Sequence, residues 1–151
     1  MSTKKVICSG SQISLGIDVD SKTSFIIALD TKTGEIVDER RMNHQLSTWE
    51  NYLDRFENCR IWACYEASGT GYGLCRHLIS FGVDCRIIAP TQVAKPMENK
   101  VIKNDRKDAV MLANLYFHPP QRFVRVPTIQ EENDRELIRT REQLIRTQVC
   151  L

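Results

Sequence analysis

Apolar and polar residues alternate strictly at the start of the chain. Ile13, Leu15, Ile17 and Val19 interleave with Ser14, Gly16 and Asp18, which is the period-two pattern of a strand with one bulky face. Asp18 falls near the C-terminal end, on the face that carries only small residues, so there is room beside it. A second apolar run, residues 24–30, is followed by the turn Thr31-Lys32-Thr33-Gly34 and a third strand over 35–42. Connections this short force an antiparallel meander. Ser47 and Glu50 have capping-box spacing, and Leu46, Trp49, Leu53 and Phe56 recur at helical spacing after them. Residues 60–66 are apolar on both faces, as an interior strand would be, and end on Glu66. A glycine-rich loop, 67–71, feeds a helix predicted to turn Leu74, Leu78 and Ile79 inward and to stop at Gly82. Residues 83–89 form a fifth predicted strand, closed by Pro90.

The next helix, 104–117, has the most informative face. Asn104 is a natural N-cap. Asp105, Asp108, Leu112 and Leu115 follow at i, i+3, i+7 and i+10, so two carboxylates occupy the end of a stripe that its leucines press into the core. Acids near a helix N-terminus also suit the macrodipole, so this stretch alone decides nothing. Pro119, Pro120 and Pro127 then bracket a short extended piece, residues 122–126. Thr128 and Glu131 form a second capping box, opening a charged helix in which Leu137, Leu144 and Leu151, and Ile138 and Ile145, repeat every seven residues. The expected layout is one α/β domain over 13–126, a mixed five-stranded sheet with helices on both faces. The start of a long C-terminal, coiled-coil-like helix follows at 127–151. Because the chain stops inside that helix, it is expected to be the front of something longer.

Composition adds limits. With 151 residues, 42% hydrophobic and 26% charged, the chain has material for one ordinary core. A net charge of +2 says little, but the local distribution says more. Lys95, Lys100, Lys103, Arg106 and Lys107 crowd around the Asp105/Asp108 pair. Six scattered cysteines show no C-x-x-C spacing, and Cys64, Cys75 and Cys85 fall inside predicted elements as small buried hydrophobes. A reduced, cytoplasmic protein is expected, with no membrane span and no signal-peptide core.

The element order implies more than the motifs do singly. A meander followed by right-handed crossovers sets strands one, four and five side by side and parallel. In such sheets the ligand site lies beyond the carboxyl ends of the strands. Asp18 and Glu66 both occupy such ends, and the helix after strand five can bring Asp105 and Asp108 to the same edge. Four converging carboxylates repel one another unless a cation holds them together. Oxygen ligands without nearby His or Cys point to Mg2+ or Mn2+. Two such ions, about 3.5–4 Å apart, can activate a nucleophile and stabilise the leaving oxygen of a phosphodiester. The surrounding basic residues would hold the polyanion.

This arrangement resembles that of RNase H-like nucleases and transposases. Leu15-Gly16-Ile17-Asp18-Val19, Tyr65-Glu66-Ala67 with Gly69-Thr70-Gly71-Tyr72-Gly73-Leu74, and Lys103-Asn104-Asp105-Arg106-Lys107-Asp108-Ala109 together look like the N-terminal domain of the DEDD insertion-sequence transposases. That is the IS one-ten family, which takes in the Piv-type DNA invertases. The resemblance runs from about Leu15 to the chain end. It implies a RuvC-like domain in which Asp18, Glu66, Asp105 and Asp108 bind Mg2+ or Mn2+ and cut DNA. It also implies a homo-oligomer formed through the C-terminal helix and, in many members, a guide RNA encoded by the element. Asn104 stands where threonine is common, and both cap helices. The family's C-terminal serine domain has no match here, so strand transfer by this chain alone is not expected. Two rivals stay open: a non-catalytic nucleic-acid-binding remnant, and an actin-like ATPase lobe, which also opens with a Gly-x-Asp strand and a hairpin.

Overall fold

Strand β1 (Gln12–Val19) runs through the interior of a six-stranded sheet in the computed structural model, which describes residues 10–89, 104–118 and 122–149. On one side β1 pairs antiparallel with β2 (Thr23–Asp30), which pairs antiparallel with β3 (Ile36–Asn43). On the other it pairs parallel with β4 (Arg60–Glu66), and β4 in turn pairs parallel with β5 (Asp84–Ile88). This is the expected RNase H-like order, with one addition. The extended piece before Pro127 contributes β6 (Phe123–Val124), antiparallel on the edge of β5 through Ile87 and Ile88. Pairing satisfies backbone groups that an open edge would leave exposed, and the sheet therefore has six strands where local pattern predicts five.

The two faces have separate cores. Ile13, Leu15, Ile17 and Ile26 point to the face covered by α1 (Leu46–Leu53), its trailing 3-10 turn (Asp54–Phe56) and α2 (Gly73–Ser80), where Trp49, Tyr52, Phe56 and Leu78 are buried. Cys64 and Ile88 point to the opposite face, against Leu112 of α3 (Asp105–Leu115). Burial of the Cys64 thiol pushes its pKa up to about 12, which keeps it a protonated core residue. Cys75 and Cys85 are buried as predicted.

Two local expectations need correction. The Ser47/Glu50 box does not form: α1 begins at Leu46 behind Gln45 and has no side-chain cap. Trp49 explains this, because its buried ring and its Nε1–H bond to the Asn43 carbonyl (3.1 Å) start the helix early enough to place Ser47 inside the first turn. Ile79 is 52% exposed. The inward positions of the short α2 are Cys75 and Leu78, with Leu74 partly buried beside them. Gly82 does end that segment, at φ +85°, with the Val83 N–H returning to the Leu78 carbonyl.

Helix α4 (Ile129–Val149) starts on the predicted Thr128/Glu131 box. The Thr128 N–H donates to Glu131 (2.7 Å), and the Glu131 N–H donates to Thr128 Oγ1 (3.2 Å). Arg125 holds the Glu131 carboxyl down to about 2. Arg76 of α2 ties the helix start to the domain through the Pro127 carbonyl and Glu132. Beyond that, Leu137, Ile138, Leu144 and Ile145 are exposed, and Leu151 lies outside the described residues. No helix among the described residues is long and apolar enough to cross a membrane.

Candidate active site

The register between α3 and β1 builds the site. Ser14 Oγ donates to the Ala113 carbonyl at 2.6 Å. A Cβ on Gly16 would stand 1.8 Å from Ala109 O and 2.5 Å from Ala113 N. Successive small residues of β1 therefore meet successive turns of α3, the helix running antiparallel to the strand. Two strand residues advance about 6.6–6.8 Å, and four helical residues about 6 Å. One further step of the same register sets Asp18 level with Asp105. The close backbone contact is at Gly16, and Asp18, one step further toward the strand end, is partly exposed. Asn104 caps α3, its Oδ1 accepting the N–H groups of Arg106 (3.1 Å) and Lys107 (3.2 Å), so the first turn carrying Asp105 and Asp108 is fixed.

The sheet supplies the second half. Gly16 pairs with Cys64 and Ile17 with Tyr65 in the parallel β1–β4 ladder. One residue more brings Asp18 beside Glu66, on the Cys64 side that α3 covers. In the other direction Asp18 pairs with Phe25 and Phe25 with Arg41. A single row therefore crosses four strands: Glu66, Asp18, Phe25, Arg41. Arg41 donates to Asp105 Oδ2 at 2.5 Å, and Arg106 to Glu39 at 2.8 Å, so β3 clamps the first turn of α3 from the side. Asp105 and Asp108 are both partly buried.

The transposase family model of the DEDD, IS110 type matches residues 15–150. The chain belongs to that family. It is 32% identical over 141 residues to the transposase for insertion sequence element IS1533 of Leptospira borgpetersenii, covering 88% of this chain and 39% of that protein. It is 22% identical over 138 residues to the transposase for insertion sequence element IS1111A of Coxiella burnetii, covering 91% of this chain and 36% of that one. The chain thus spans well under half the length of these relatives. Among solved structures, the large terminase nuclease of thermophilic phage G20c aligns with a TM-score of 0.45 at 11% identity, over 72% of this chain and 83% of that one.

In this transposase domain the four predicted acids lie on two adjacent strand ends and the helix turn facing them. Among the described residues, no three His, Cys, Asp or Glu side chains are already gathered as a ligand cluster. The fold brings the carboxylate-bearing backbone to one edge, and Arg41 draws Asp105 toward β3. An all-carboxylate donor set, two on strand ends and two on the first turn of α3, has the chemistry that suits a hard divalent cation. Of the predicted basic residues, Lys107 is exposed on the first turn and Arg106 is paired with Glu39. Lys95, Lys100 and Lys103 lie outside the described residues. Arg41 and Glu39, which the sequence pattern does not single out, share parity on β3 and both reach α3.

Proposed function

We propose that this domain is the metal-dependent DNA-cleaving part of a DEDD transposase, with Asp18, Glu66, Asp105 and Asp108 holding Mg2+ or Mn2+. The observation that carries the proposal is the coincidence of two independent registers, β1 with β4 and β1 with α3, on one strand end. When bound, the ion supplies a nucleophile activated at neutral pH and a counter-charge for the leaving oxygen. Asp18 and Glu66 contribute position, because interior strand ends move little. Asp105 and Asp108 contribute charge where the helix N-terminus favours it. Lys95, Lys100, Lys103, Arg106 and Lys107 hold the DNA backbone, Arg106 by exchanging Glu39 for phosphate.

A cleft of about 400 Å³ lies between the loop after β4 and α4, lined by Ser68, Gly71, Glu132, Arg135, Glu136 and Arg139 among others. The test is DNA binding by fluorescence anisotropy. Affinity should be higher with Mn2+ than with chelator, since bare carboxylates repel phosphate, and should fall as salt rises. Lys100→Ala with Lys103→Ala should reduce the log–log salt slope by about 0.9 per lost contact on duplex DNA, equally at every sequence. A salt-independent affinity would contradict the basic surround.

The exposed heptad seam of α4 supports self-association as a second feature of the function. Four large apolar residues at 44–70% exposure need a partner surface. Sedimentation of the chain with and without residues after Pro127 should show a dimer only for the longer form. Monomers at high concentration in both would rule this out.

A further inference from the structure

Arg41 is the row's one cation, and its position is over-determined for a surface bridge. The guanidinium lies 5.5 Å from the Phe25 ring centroid, donates to Thr23 Oγ1 at 3.3 Å, and meets Asp105, 64 residues away, at 2.5 Å. Both partners are partly exposed, with Arg41 at 48% and Asp105 at 31%. Exposed pairs of this kind add little to stability, so folding alone gives no strong reason for the contact. What the pair does is place a positive charge on an oxygen that a divalent ion would also need.

We propose that Arg41 and the divalent ion hold Asp105 in turn, and that Arg41, once released, takes a phosphate of the DNA strand at the site. The inference rests on the four-carboxylate reading above. Phe25 keeps the guanidinium in the row after the carboxylate lets go, because its ring offers a face on which the planar group can turn without leaving. The same planar fork that pairs a carboxylate also pairs a phosphate with two parallel bonds. Arg41 thus neutralises Asp105 until metal binding, and its charge is then available beside the phosphate. Exchange of partners couples the two events.

Mn2+ titration by calorimetry and salt-dependent DNA binding on the whole chain test this, comparing wild type with Arg41→Gln. Arg55→Gln serves as control, since Arg55 pairs with Asp38 at 3.2 Å beside Tyr52, on the face covered by α1. Arg41→Gln should bind Mn2+ about two- to fivefold more tightly, the equivalent of losing one exposed competing pair. Its DNA salt slope should fall by about 0.9 with Mn2+ and stay at the wild-type value with chelator. Arg55→Gln should change neither. Unchanged or weaker Mn2+ binding in Arg41→Gln overturns the inference, as does a slope that drops equally with chelator or does not drop at all. No Mn2+ binding in the wild type would overturn the four-carboxylate reading itself, and this inference with it.

Discussion

Gly16→Ala should destabilise the domain by about 3 kcal/mol, at the upper end of what over-packing usually costs. The added Cβ would meet Ala109 O at 1.8 Å and Ala113 N at 2.5 Å. Both are helix backbone atoms, so no side-chain rotation relieves the clash and α3 must lift from β1. Lifting also breaks the Ser14–Ala113 hydrogen bond and carries Asp105 away from the level of Asp18. At this chain length the loss corresponds to a fall in Tm of roughly 6–12 °C. Gly69→Ala is the matched control. Nothing lies within 4 Å of its Cβ position, and the expected change is within about 0.5 kcal/mol. If Gly16→Ala melts with the wild type, the close α3–β1 contact is wrong, and the register argument for Asp18 and Asp105 loses its basis.

Asp18→Asn should have the opposite signature. The amide keeps the shape of the carboxylate, so Tm should stay within a few degrees of wild type. Metal-dependent nicking of DNA should nevertheless fall at least about a hundredfold, because even residues that only support a metal ligand cost 10–100-fold when lost. Stability and activity would then move independently, as they do for a residue that serves the site and not the core. A large drop in Tm with nicking unchanged would make Asp18 a structural residue.

Much of this fold was legible because the relevant forces are local. Alternation over residues 13–19 and the two-sided apolar run at 60–66 determine which strands can be interior. The short turns force the meander, and crossover handedness then orders β1, β4 and β5. The backbone positions of the acids follow from the same logic, Asp18 and Glu66 lying at strand ends and Asp105 and Asp108 in the first turn of α3. Arg41 was not legible, because its partner is 64 residues away, and Asp38-Glu39-Arg40-Arg41 reads simply as a polar edge strand. Sheet parity divides it: Glu39 and Arg41 reach α3, while Asp38 and Arg40 stay with Arg55 and Tyr52. Strand β6 was hidden for a similar reason, its two residues being defined only by the β5 edge they cover.

The two capping-box patterns show where local rules stop. Thr128-x-x-Glu131 forms both reciprocal hydrogen bonds, with Arg125 holding the glutamate in place. Ser47-x-x-Glu50 has the same spacing and forms neither. There the buried Trp49 sets the start of α1, and packing of a large side chain outweighs a cap worth about 1 kcal/mol. Spacing proposes a helix start, and the nearest large buried residue decides it.

Whether Asp18, Glu66, Asp105 and Asp108 share one divalent-metal site is decided by Mn2+ titration of the wild-type chain and four single variants. These are Asp18→Asn, Glu66→Gln, Asp105→Asn and Asp108→Asn, each first confirmed as folded by circular dichroism. A shared site gives saturable binding to the wild type and a loss of affinity in all four variants, greatest for Asp18 and Asp105. Mn2+ binding that persists undiminished in Asp18→Asn and Asp105→Asn would contradict it.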